Sequence, residues 1–91
     1  MKLEHKAYII NHRTYLYIMD FEDSFDYSFY NDHYLVMNTG SIPKDGHTLD
    51  QAVRLICSRH YLKPEELYEL SEAEMEEMID HIDDYEQVNV L

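Results

Sequence analysis

The chain has 91 residues, 7 of them basic and 19 acidic, for a formal net charge of −12; so one-sided a negative field excludes direct binding to nucleic acid, whose phosphates it would repel. A hydrophobic share of 45% argues against disorder, and a chain of this length forms one domain, residues 1–91, with a feasible but thin core. The single cysteine, Cys57, rules out an internal disulfide and a zinc-finger framework, and with no signal peptide or membrane-length apolar run the expected setting is cytoplasmic, with no membrane contact.

Residues 7–38 read as β structure, a meander of about four antiparallel strands. Ala7–Ile10 is a short apolar run, and Asn11-His12-Arg13 is a polar turn. Thr14–Asp20 places Tyr15, Tyr17 and Met19 on one face and Leu16 and Ile18 on the other. Both faces are apolar, which predicts a central strand or one covered on both sides. An acidic connection, Phe21 to Asp26, follows; its two phenylalanines are expected to tuck into the core. Tyr27–Tyr30 and Tyr34–Asn38 flank Asn31-Asp32, a pair suited to positive φ in a hairpin. Thr39–His47, with Gly40, Pro43 and Gly46, reads as the loop that separates the β half from a helical half.

Thr48 with Gln51 three residues on forms a capping box that opens a helix over residues 49–60. Leu49, Ala52, Val53, Ile56, Cys57 and His60 share its sheet-facing stripe. Lys63-Pro64 ends it, and residues 64–70 are expected to form a short helical turn with Leu67 and Leu70 inward. Ser71 and Glu74 make a second capping box, opening a helix over residues 72–85 whose apolar stripe is Met75, Met78, Ile79, Ile82 and Tyr85. The closing Val88-Asn89-Val90-Leu91 reads as a short strand, a core plug or a subunit contact. The fold class expected is thus α+β, a sheet of about four strands packed against two or three helices.

Catalytic and metal-binding patterns are missing from the sequence. Two glycines do not build a phosphate-cradling loop, and Cys57 falls on an apolar helix face, where a thiol is inert. The six histidines lack metal-ligand spacing, and Asp80, Asp83 and Asp84 lie on a helix without the glycine of a calcium loop. No enzyme activity, catalytic residue, metal or cofactor is expected.

Charge is distributed unevenly. Eleven of the 19 acidic residues follow Lys63, the last basic residue, and the preceding 63 residues are close to neutral. Glu72–Glu76, Glu76–Asp80 and Asp80–Asp84 stack like charges at i, i+4, each costing ~0.2–0.5 kcal/mol. Asp83, Asp84 and Glu86 lie near the expected helix C-terminus, where the macrodipole disfavours anions. A merely solvated face would interleave lysine, so repeated violations in one direction point to a binding role. Carboxylates on successive turns, ~5–6 Å apart, have spacings of the same order as nucleic-acid phosphates. The candidate partner-binding carboxylates are Glu65, Glu66, Glu69, Glu72, Glu76, Glu77, Asp80, Asp83, Asp84 and Glu86, with Glu22, Asp23 and Asp26 extending the row if their connection lies beside the helix.

In size, acidity and β-then-α layout, carried by the carboxylates from Glu65 to Glu86, the chain resembles the small phage-encoded DNA mimics, closest in kind to the anti-restriction nuclease inhibitor (Arn) of T-even phages. That resemblance implies occlusion of the basic DNA-binding surface of a host protein, a modification-dependent restriction nuclease or a nucleoid protein, in the host cytoplasm. It also implies that a homodimer would be in keeping, for which the apolar C-terminus and surplus tyrosines leave room. The alternative is an acidic protein–protein adaptor or transcription-modulating module acting through its apolar helix face and tyrosines.

Overall fold

The computed structural model describes residues 5–90, residues 83–90 by backbone alone. The strands are β1 (His5–Ile10), β2 (Thr14–Asp20), β3 (Ser24–Tyr30), β4 (Val36–Pro43) and β5 (Leu67–Glu69); the helices are α1 (Leu49–Arg59) and α2 (Glu72–Val90). All pairings are antiparallel and the sheet order is β4-β3-β2-β1-β5. The fold is therefore α+β, with a meander of four strands and a fifth strand added beside β1.

Strand register decides what each face holds, because neighbouring side chains alternate sides. Tyr8 lies opposite Leu16, and Leu16 opposite Phe29. With Ile10, Ile18, Phe25, Tyr27 and Ile42 they pack against Ala52, Val53, Ile56 and Cys57 of α1. On the other face Ala7 lies opposite Tyr17, and Tyr15 opposite Tyr30. There Ala7 and Tyr30 pack with Met75, Met78 and Ile82 of α2, and Tyr15, Tyr17 and Tyr34 line the margin. The helices thus cover opposite faces of one sheet. The doubly apolar pattern of β2 has this cause: the strand is central and covered on both sides.

Local chemistry sets the connections. Asn11 and His12 both take positive φ, at 51° and 61°, and Arg13 N–H donates to Ile10 O at 3.1 Å, which gives a tight hairpin twisted like its strands. Both helices have the capping boxes read from the sequence. Thr48 Oγ1 accepts from Gln51 N–H at 3.2 Å while Gln51 Oε1 accepts from Thr48 N–H at 2.8 Å. Ser71 and Glu74 repeat the exchange at 3.2 and 3.0 Å. Each box satisfies two otherwise orphaned donors of a first helical turn.

Several boundaries differ from expectation. Residues 64–70 are not a helical segment: Pro64–Glu66 make one 3-10 turn, and Leu67–Glu69 pair with β1 as the fifth strand. The unpaired side of β1 offers backbone partners that a short helix could not use. β4 runs on to Pro43, so the loop begins only at Lys44. In the β3–β4 hairpin it is Tyr34, with φ of 63°, that takes the left-handed backbone. Asn31 instead accepts from the N–H groups of His33 and Leu35 at 2.8 and 3.0 Å. Of the two phenylalanines expected in the core, Phe25 is buried and Phe21 only half-buried. α2 continues to Val90, so Val88–Val90 are helical and not a strand; Leu91 lies outside the described residues.

Candidate functional site: an acidic helix beside a tyrosine groove

The sheet organises the acidic side chains by way of α2. Met75, Met78 and Ile82 are buried on it, which fixes the helix in rotation. Positions four apart share a side of a helix, so Glu72, Glu76 and Asp80, all exposed, form a row on one flank. Glu74 and Glu77 occupy the other flank. Glu72 and Glu74 also lie in the first turn, where the dipole favours anions. Because α2 ends at Val90, Asp83 and Asp84 precede its last turn, and the macrodipole argument against them loses most of its force. Asp83, Asp84 and Glu86 are on the helix backbone; their side chains lie outside the described residues.

The remaining candidates are not in that row. Glu69 is opposite Tyr8 on the α1 face and meets Lys6 Nζ at 3.6 Å, with Asp50 3.9 Å from the same nitrogen. Glu66 acts electrostatically on Cys57 of α1, whose thiol is pushed up by burial first and by Glu66 second. Glu65 is exposed on the intervening 3-10 turn. Of the three acids before α2, Glu66 and Glu69 therefore act on the α1 face, opposite the row. Glu22 and Asp23 are exposed in the β2–β3 turn, at the end of the sheet away from the Asn11–Arg13 turn. Asp26 is occupied locally, accepting from Ser24 Oγ at 3.0 Å and Ser41 Oγ at 2.9 Å.

Beside the Glu74–Glu77 flank runs a groove of about 330 Å³. It is lined by aromatic Tyr15, Tyr34 and Tyr68, apolar Ile9, Leu70 and Met78, and polar Glu74, Glu77 and His12. Tyr34 lies near-parallel to two rings, Tyr15 at 5.3 Å and 17° and His81 at 4.8 Å and 16° between centroids, so β2, the β3–β4 turn and α2 meet in one stack. His81 Nε2 is also 3.9 Å from Glu77. The Tyr15 phenol is pushed up to about 12, first by its hydrogen bond with Tyr34, then by burial, and further by the negative charges of Glu77 and Asp32. Sequence reasoning missed this groove; its one signal was the surplus of tyrosine.

A second cluster joins the sheet to the end of α1. Tyr27 is buried, and its hydroxyl lies 3.0 Å from His60 Nε2 and accepts from Arg59 Nη1 at 3.4 Å. Arg59 also donates to Ser41 O at 3.3 Å. These contacts hold α1 on the sheet, and His60 also lines a second cavity of about 440 Å³ with Arg13, Phe29, Met37 and Leu62. Among the described residues no group of three or more His, Cys, Asp or Glu is placed to hold a metal ion, and no helix is long and apolar enough to cross a membrane.

A family model for the large polyvalent protein-associated domain 16 matches residues 2–82. The chain belongs to that family. The match spans the whole sheet, α1 and the described side chains of α2, so the sandwich and its groove lie within the family's extent. No curated protein and no solved structure matches the chain.

Proposed function

We propose that the chain is a non-catalytic binding module that lays the Glu72, Glu76, Asp80 flank of α2 into a basic groove of a protein that otherwise holds nucleic acid. The observation that carries this reading is the burial of Met75, Met78 and Ile82 beneath the row. A helix fixed on one side presents the carboxylates of its other side without the ordering cost of a loose acidic tail. Carboxylates one turn apart imitate a phosphate path at a spacing of ~5–6 Å, and their binding would release counterions as nucleic acid does. The family's description associates the domain with large polyvalent proteins, which suits a docking part that works beside other activities.

The fuller form of the proposal is DNA mimicry, in which a host defence nuclease or nucleoid protein is occluded. Adaptor activity would rest on exposed side chains such as Tyr61, Tyr68, Val36 and Met37, because the sheet already covers Met75, Met78 and Ile82 of α2.

The test is capture from a bacterial lysate at low salt followed by elution with duplex DNA. A basic DNA-binding protein should be retained, released by DNA, and lost steeply between roughly 50 and 200 mM salt. Neutralising the flank as Glu72→Gln, Glu76→Gln and Asp80→Asn should abolish retention. Salt-insensitive binding that persists alongside bound DNA would sink the proposal.

A further inference from the structure

We propose that the tyrosine groove is an anchor site for one arginine side chain, taken from the basic surface that α2 meets; it rests on the docking role argued above and adds a specific contact to it. Three observations converge on a planar cation. Tyr15, Tyr34 and Tyr68 line the groove; Tyr34 is stacked with Tyr15 and His81, so it is exposed Tyr68 that offers an open ring face, and the face of a tyrosine ring attracts a cation. Two carboxylates, Glu74 and Glu77, line the same space, and they are one turn apart on the helix, so both point to one flank. The volume of about 330 Å³ is at the lower end for small-molecule sites, enough for a single long side chain.

The charges select among occupants. An anion would face two carboxylates and the field of Asp32. A purely apolar group would bury against acid without pairing it, at a desolvation cost. Guanidinium fits best: it stacks flat on aromatic rings, sheds water more readily than an ammonium, and grips a carboxylate through two N–H groups.

The carboxylates are also oriented beforehand. Glu74 Oε1 accepts from Ser71 N–H at 3.0 Å, which leaves its second oxygen for a ligand. Glu77 Oε1 lies 3.9 Å from His81 Nε2, which pairs with it when the imidazole is protonated. Such preorganisation lowers the cost of capturing a flexible side chain.

Titration of the isotope-labelled full chain by nuclear magnetic resonance tests this, with Gly-Arg-Gly as probe and Gly-Lys-Gly and the neutral Gly-citrulline-Gly as comparisons. Saturable shifts are expected at Tyr15, Tyr68 and Glu77, with arginine bound several-fold tighter than lysine and citrulline not bound. Tyr68→Ala with Glu77→Gln replaces two exposed side chains, so the fold should persist while arginine affinity falls about tenfold. Equal binding of citrulline, shifts confined to the Glu72, Glu76, Asp80 flank, or wild-type affinity in the double variant would each overturn the anchor. Lysate capture separates this from the broader reading: the groove variant failing to bind Gly-Arg-Gly while the flank variant binds it normally supports the anchor, whatever the flank variant does with a basic protein. If the unmodified chain captures no basic protein but still binds Gly-Arg-Gly, the docking role fails and the groove stands.

Discussion

The ring of Tyr27 fills the space that a side chain on its cross-strand neighbour Gly40 would need, so a Cβ there would overlap it. Gly40 is thus required by packing and not by an unusual turn. Gly40→Ala should cost about 1–3 kcal/mol, the usual penalty of overpacking, and urea unfolding would measure it; an unchanged midpoint would show that the ring can move aside. Two other phenols make the fold sensitive to alkali. Tyr8 is pushed up to about 12, by burial first and then by Glu69 and Asp50, and Tyr15 to about 12 by Tyr34, burial and nearby acids. In the unfolded chain a phenol ionises near 10. Their stabilising contribution is therefore complete below pH ~10 and is lost as pH rises towards ~12. Unfolding midpoints measured across that window should fall less in Tyr15→Phe than in the wild type.

Helices were legible in the sequence because their signals are local. Thr48-Gln51 and Ser71-Glu74 each fall within four residues, and both boxes formed as written. β5 was not legible: Leu67, Tyr68 and Glu69 carry no strand pattern of their own, and only the free side of β1, some sixty residues earlier in the chain, makes them one. The groove was hidden for the same reason, since Tyr15, Tyr34 and Tyr68 meet through pairing that no short window contains. The acidic row was legible only in part. Helical spacing assembled Glu72, Glu76 and Asp80, but could not reveal that Glu66 and Glu69 turn to the other face. At this scale Ser71→Ala should destabilise by ~1 kcal/mol through the lost cap. It should also remove the second cause of the lowered Glu74 pKa, the Ser71 hydroxyl, while the first, the backbone N–H of residue 71, stays in place. A lowered carboxyl stabilises the fold above its unfolded value and ceases to as pH falls through the folded one, so the variant should lose less stability on acidification. Thermal melts from neutral pH down to ~3 check both parts.

For the molecule as a whole, a net charge of −12 works against the compact state through self-repulsion. Of the described ion pairs, Lys6 and Lys44 account for those that do not involve histidine, so little local attraction offsets it. Added salt screens that repulsion over a distance of ~10 Å at 0.1 M. Salt should therefore raise the melting temperature of the isolated protein while weakening its docking to a basic partner. Calorimetry and binding followed over the same salt series would show curves of opposite slope, and parallel slopes would contradict the account.

The stacked rings of Tyr15, Tyr34 and His81 give the protein a built-in gauge. Ring currents from Tyr34 should displace the imidazole proton signals of His81 from their free positions for as long as α2 rests on the sheet. Were the helix to lift while the strands held, those signals would return first, ahead of any exchange in the amides of β2. One resonance would then time the opening of the face that α2 covers, separately from the melting of the sheet.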